Sequence, residues 1–415
     1  MNFEQAWEYL LNSGGAGRKK GHDAILSVMA HFDNPQEKLR IIHVAGTNGK
    51  GSFCAMMGSV LKEAGYRVGV FTSPHLERVN ERFTINGEEI SDKDLAKYVT
   101  SIVSLSEDMY GKEDGFTYFE ILTMVAFLHF HKQKVDFVLL EVGIGGRLDS
   151  TNIITKPLLS VIMSIGMDHM EMLGNTIEEI AREKGGIIKQ DCPVVLYDDE
   201  PKVHNIFLEM ARAKNAIVYK GSEVICNHDI MRIGLLGSHQ GKNASVVFMA
   251  AVALEEMGAA QIGRDALDEG LARARHPGRM EIMAENPMII LEGAHNLQGV
   301  EACVKNFKRL DPMREVTIIM AMMNDKEYHH SINLFATFAA RIIFTKPYYD
   351  GRAVNPHELA AVLEYSNKET FVREDCKDAL ELARSLSPED GIILCTGSLY
   401  LVADIRKILM DERRA

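Results

Sequence analysis

The sequence predicts an α/β protein, with a larger N-terminal phosphate-loop domain on a parallel sheet and a smaller C-terminal Rossmann-like α/β domain. Three observations lead there. Apolar, β-branched runs alternate with stretches whose apolar residues recur at spacings of three and four. The runs are continuous rather than alternating, as strands of a parallel sheet covered on both faces require. The series is broken once, at "RARHPGR" (273–279), where Pro277 and Gly278 end a helix. This sets the expected domains at 1–273 and 280–415, with 274–279 as the hinge. Two sheet domains meeting at a hinge are expected to leave a cleft for ligand.

In the first domain, strands are expected at "LRIIHVAG" (39–46), "RVGVFTS" (67–73), "DFVLLEVG" (136–143), "LLSVIMSIG" (158–166) and "PVVLY" (193–197). Stretches such as "SFCAMMGSVLKEAG" and "FEILTMVAFLHFHKQ" between them are expected helices. The second series is "PMIILEG" (287–293), "EVTIIMAM" (315–322), "ARIIFTK" (340–346), "ETFVRE" (369–374) and "DGIILCTG" (390–397). "SPHLERVNERFTINGEEIS" reads as a loop and hairpin. "NTIEEIAREKGG" reads as a short helix with Thr176 as N-cap, Glu179 completing the capping box, and Gly185 at its end.

Composition narrows the class. With 415 residues the chain is long enough for two or three domains, and 46% apolar with 25% charged residues is the mixture of a soluble globular protein. No apolar run approaches the roughly 20 residues that span a bilayer. The acidic start "MNFEQAWEYLL" lacks the features of a signal peptide. Six cysteines without a CxxC pair argue against a disulfide framework or a cysteine-bound zinc, so a cytoplasmic protein is expected. A net charge of −12 disfavours a nucleic-acid partner, although the run Arg18, Lys19, Lys20 is able to attract a small anion.

"HVAGTNGKGS" (43–52) follows an expected strand and opens an expected helix. Glycines let successive backbone N–H groups face one anion, and the helix N-terminus adds partial positive charge. Lys50 would reach the β- and γ-phosphates, with Ser52 or Thr47 supplying a hydroxyl. The strict P-loop spacing is absent, because Val44 stands at the first glycine position and Gly51 separates Lys50 from Ser52.

That variant spacing resembles the ATP loop of the Mur ligase superfamily, in its folylpolyglutamate synthase and dihydrofolate synthase branch. The branch's further stretches follow in order: "FTSPHLERVNERFTINGEEIS" (71–91), "LLEVGIGGRLDSTN" (139–152), "SIGMDHMEMLGNTIEEIAREKGGIIK" (164–189), "HPGRMEI" (276–282), "EGAHN" (292–296) and "TGSLYLV" (396–402). The resemblance covers nearly the whole chain. It implies ATP held by Gly46, Thr47, Asn48, Gly49, Lys50, Gly51 and Ser52, with Asn243, Arg279, Glu292 and His295 contributing from elsewhere. It implies one or two Mg²⁺ ions on Ser52, Ser73, Glu141, His169 and Lys184, the lysine being carbamylated by CO₂. Lys50, His169 and Lys184 are the residues it sets at the chemistry. On its own, Lys184 reads as a surface lysine in the last turn of a short helix.

The activity implied is addition of L-glutamate to a reduced folate through an acyl phosphate, with dihydropteroate as a further acceptor and a single chain as the working unit. His295 and Ser398 are expected to face the glutamate from the second domain. "TYFE" (117–120) either adds aromatic surface for a pterin or belongs to the core. Three departures stand out: Glu292 and Glu327 where the branch has Asp, and "GHDAI" (21–25) where it has Gly-Leu-Glu-Arg. Two rival readings remain at this point, a Mur-type ligase for another carboxylate and a nucleotide-dependent switch that makes no bond.

Overall fold

The computed structural model describes residues 1–13, 21–111, 115–197, 200–308, 314–348 and 351–414; the Arg18–Lys20 run lies outside them. The chain divides into two units: residues 1–234 with 241–274, and residues 235–240 with 275–415. Residues 235–240, expected in the first domain, therefore belong with the second. The carboxamide oxygen of Asn306 accepts both the N–H and the hydroxyl of Ser238, a long-range contact that local pattern does not reveal.

The first unit holds β1 (Ile41–Ala45), β2 (Val68–Phe71), β3 (Phe83–Ile85), β4 (Glu88–Glu89), β5 (Phe137–Glu141), β6 (Leu159–Ile162), β7 (Val194–Leu196) and β8 (Val218–Lys220), in the order β4-β3-β2-β5-β1-β6-β7-β8. The ladder from β2 to β8 is parallel, and only β3 and β4 run antiparallel at one edge. All five expected strands are present. The expected hairpin is β3–β4, turned by Asn86 and Gly87, both at positive φ as a two-residue hairpin turn requires.

Every residue of β1 and β5 is buried, because the sheet is covered on both faces. Val138 and Leu140 point into a core with the helices Asp92–Tyr110 and Tyr118–Lys132. On the other face Leu139 and Val70 meet Gly58 of the helix Lys50–Glu63. That helix is backed by the helix Gly263–Arg273, and their approach requires Gly270, where a Cβ would lie 2.4 Å from the Val60 Cα. "TYFE" contributes mainly to the core: the Phe119 ring fills the space a Cβ on Gly143 would need, and Glu120 is buried as the capping-box partner of Thr117.

The second unit holds β9 (Glu281–Glu285), β10 (Met288–Glu292), β11 (Val316–Met320), β12 (Arg341–Phe344), β13 (Glu369–Val372) and β14 (Ile392–Thr396), in the order β13-β12-β11-β14-β10-β9. All pairings are parallel except β9 with β10. The five expected strands are found, and β9 is an added edge strand. Among the described residues no helix is long and apolar enough to cross a membrane, and all six cysteines are unpaired and buried.

Candidate functional site

The glycine turn leaves β1 at Ala45, and the helix that follows starts at Lys50, two residues earlier than its apolar pattern suggests. Two glycines are obligatory. Gly46 has φ +148° and a Cβ there would sit 2.7 Å from the Met163 Cβ; Gly49 has φ +86° and a Cβ there would sit 2.8 Å from the Asn243 Oδ1. The second contact brings Asn243, from the distant helix His239–Glu256, against the loop. The first turn of the helix at Lys50 aims N–H groups that lack intrahelical acceptors at the loop's concave side, a ready anion site.

The Thr47 hydroxyl, expected as an alternative to Ser52 at the phosphates, is bonded within the protein. Its Oγ1 donates to the Gly166 carbonyl and accepts from the Gly166 N–H, both at 3.0 Å, and its N–H donates to Ser164 O at 2.8 Å. Thr47 thus fastens the loop to the segment after β6. Ser52, the alternative, lies buried in the first turn of the helix.

Lys50 folds over the loop. Its Nζ donates to the carbonyls of Gly46 (3.0 Å) and Thr47 (3.2 Å) and stands 3.9 Å from the Glu141 Oε1. Glu141 ends β5, buried, and its Oε2 accepts from the Ser73 N–H at 3.2 Å. Ser73 follows β2, so two adjacent parallel strand ends and the loop after β1 converge on one point. This is where ligands bind in open α/β sheets.

Lys184 joins them from the helix Ile177–Gly185, whose Thr176/Glu179 capping box forms as expected. It is not a surface lysine. It is 4% exposed, and its Nζ donates to the Gly46 carbonyl at 3.0 Å. Burial, reinforced by the neighbouring Lys50 ammonium and opposed by Asp168 and Asp149, lowers its pKa to about 7. Glycines make room for the helix: a Cβ on Gly146 would strike the carbonyls of Glu183 and Lys184 at 2.7 Å.

His169 follows β6 and caps the short helix Met170–Leu173 at φ +49°. Its side chain is 38% exposed and its Nε2 stands 4.0 Å from Asp168 Oδ2. The contacts above join Lys50, Glu141, Ser73, Gly46 and Lys184 directly. Among the described residues no three His, Cys, Asp or Glu side chains gather closely enough to hold a metal by themselves.

In the second unit, Glu292 ends β10 and is 7% exposed. Its Oε2 accepts from the Met280 N–H at 2.9 Å, the Ala294 N–H also donates to it, and Arg279 Nη1 stands 3.8 Å from its Oε1. Burial raises its pKa, while Arg279 and the two N–H groups hold it down. Arg279 Nη1 also donates to the Gly293 carbonyl at 3.1 Å, and His295 Nδ1 meets the same oxygen at 2.8 Å. Ser398 is buried just after β14, its Oγ accepting from Tyr400 N–H. Glu327 stands exposed at the start of the helix Tyr328–Ala336.

Residues 44–251 match the Mur ligase middle domain, and residues 278–399 match the Mur ligase, glutamate ligase domain. The dihydrofolate synthase/folylpolyglutamate synthase of Bacillus subtilis (strain 168) is 39% identical over 95% of this chain and 96% of its own. The chain belongs to the folylpolyglutamate/dihydrofolate synthase family of Mur ligases. It is an ATP-dependent ligase. Solved structures agree in fold: Escherichia coli FolC in complex with DHPP and ADP has a TM-score of 0.87 at 28% identity, covering 100% of this chain and 99% of that one. Mycobacterium tuberculosis folylpolyglutamate synthase complexed with ADP and AMPPCP has 0.85 at 28% identity, covering 94% and 95%.

Several residues that hold this ligase's site together were not legible in the sequence. His43, fully buried one residue before Val44 on β1, meets Thr151 Oγ1 at 2.9 Å through its Nε2. Thr151 in turn donates to Asp149 Oδ1 at 2.6 Å, and Asp149 Oδ2 accepts from the Ile144 N–H at 3.0 Å. His22, in the "GHDAI" departure, reaches the Asp149 carbonyl at 2.8 Å. The polar residues of "GRLDSTN" were the available signal, since Asp, Ser, Thr and Asn in a turn bond to nearby backbone.

Proposed function

We propose that this ligase uses ATP to activate the carboxylate of a pterin-bearing acid as an acyl phosphate, and that the amino group of L-glutamate displaces the phosphate to form an amide. The single observation that carries the reading is the convergence of Lys50, Glu141, Ser73 and Lys184 on the loop after β1. The acceptor is a reduced folate, extended at its glutamate tail, or dihydropteroate; the Bacillus relative carries both activities in its name.

The chain's residues have separate tasks. The loop N–H groups and Lys50 take the triphosphate, and Lys50 leaves its carbonyl partners to follow charge as it develops on the transferred group. Glu141, with the hydroxyls of Ser52 and Ser73, would be the oxygen donor set that holds magnesium. Magnesium, when bound, would neutralise phosphate charge. His169, with Asp168 beside it, is proposed as a further ligand. Lys184 is proposed to react as the free amine with CO₂, releasing one proton and giving a carboxylate; its burial beside Lys50 favours the uncharged amine this needs. Asn243 and Arg279 are proposed nucleotide contacts, and His295 and Ser398 glutamate contacts.

The test measures ADP release with tetrahydrofolate, dihydropteroate or a cell-wall precursor as acceptor, each with and without L-glutamate. Release that needs glutamate together with a pterin acid supports the reading. Release with the cell-wall precursor alone, or release independent of glutamate, overturns it.

A further inference from the structure

Glu292 is positioned to act on Arg279 rather than on a ligand. The segment 278–281 is a tight, wired turn. Gly278 has φ +71° and Met280, a non-glycine residue, is held at φ +48°, a conformation that costs of order 1 kcal/mol or more unless the surroundings impose it. What imposes it is on both sides. The Gly293 N–H donates to the Gly278 carbonyl at 2.9 Å, and the Gly278 N–H donates to Glu281 Oε2 at 2.8 Å. Glu281 is in turn gripped by Arg406 Nε at 3.2 and 3.1 Å. Glu292 closes the turn by taking the Met280 N–H at 2.9 Å, and it faces the Arg279 guanidinium from 3.8 Å. Leu399 packs closely over Gly293, where a Cβ would lie 2.3 Å from its Cδ2.

The residue between the two positive-φ positions is Arg279 itself. Its guanidinium has one Nη1 hydrogen directed at Gly293 O, which leaves the rest of the planar fork, 30% exposed, for an external anion. Both faces of the Glu292 carboxylate are directed inward, one oxygen to backbone N–H and one to Arg279. We infer that Glu292 is a positioning residue: it clamps the Met280 backbone and fixes the direction of the Arg279 fork, so that the nucleotide's charge is met by Arg279 and not by Glu292. This rests on the proposed role of Arg279 as a nucleotide contact, and it assigns the longer carboxylate at 292 a task that needs no ligand.

The experiment is a double-mutant cycle on the full-length enzyme, R279A, E292Q and the pair together, with KM for ATP, KM for glutamate, kcat and the melting temperature measured for each. Loss of a charge-assisted contact weakens ATP binding about tenfold. Both single variants are expected to raise KM for ATP by about that factor, with KM for glutamate unchanged. The pair is expected to be no worse than R279A alone. A purely structural role would lower the melting temperature without this non-additivity. Multiplying effects in the pair overturn the inference, because they mean that Glu292 meets the nucleotide or acts independently. An unchanged KM for ATP in R279A instead overturns the nucleotide role of Arg279, and with it the inference. Should E292Q fail to fold, E292D, which keeps the charge but withdraws it by one methylene, completes the same cycle.

Discussion

Lys50 and Lys184 donate to one and the same oxygen, the Gly46 carbonyl, each at 3.0 Å. Two ammonium groups at a single buried acceptor repel one another, and the cost falls on the more buried one. The pKa of Lys184 is accordingly lowered to about 7, with Lys50 a cause second only to burial. The two lysines that the sequence separates by 134 positions are therefore one electrostatic unit, and each can be tested by removing it.

Lys50→Ala is expected to lower turnover by about a hundredfold or more, since a preorganised charge on the transferred phosphate is lost. The helix that begins at position 50 keeps its apolar face, so the circular dichroism spectrum should match the wild type. Near-normal turnover with an unchanged spectrum would remove Lys50 from the chemistry.

Lys184→Ala is expected to be strongly impaired, and added acetate is expected to restore part of the rate by offering a carboxylate in the vacated space. The cavity left by a buried side chain also lowers the melting temperature. Wild-type rates for this variant would count decisively against any role for the residue, and a rate that acetate leaves unmoved would count against the carboxylate.

Gly270→Ala introduces a Cβ 2.4 Å from Val60 Cα and 2.7 Å from Val60 N, both backbone atoms that cannot rotate away. The helices Lys50–Glu63 and Gly263–Arg273 must separate, at a cost of about 1–3 kcal/mol or more. Urea unfolding should show a lower midpoint. An unaltered midpoint would mean that the two helices are not in this contact.

Stability should fall in mild acid through buried neutral histidines. Burial, reinforced by positive neighbours, Lys189 and Arg279 respectively, lowers the pKa of His43 and of His276 to about 3. The unfolded chain's histidines take up protons below about pH 6.5. Stability is therefore complete above that value and declines as pH falls toward 3, by about 1.4 kcal/mol per pH unit for each histidine. His43→Asn should shallow the dependence of the urea midpoint between about pH 6.5 and 5. An unchanged slope would show that His43 is not held neutral.

What the amino-acid order determined by itself was local pattern, chiefly the main strands and a helix cap. The continuous apolar runs at 41–45, 137–141 and 392–396 are strands because residues buried on both faces of a sheet cannot alternate with polar ones. The Thr176–Glu179 box forms as written because it is satisfied within four residues. Contacts between distant segments were decided by the tertiary structure alone. Lys184 looks like a solvated charge in its helix and becomes a buried amine only because β1 delivers the Gly46 carbonyl to it. Thr47 looks like a phosphate ligand and becomes a clasp only because the chain after β6 passes beside it. Residues 235–240 look like part of the first domain, yet Ser238 among them bonds to Asn306 of the second unit. Hydrogen bonds and charges act over a few ångströms of space, whatever their separation along the chain, so the partner that fixes a polar side chain's task exists only once the fold has brought it there.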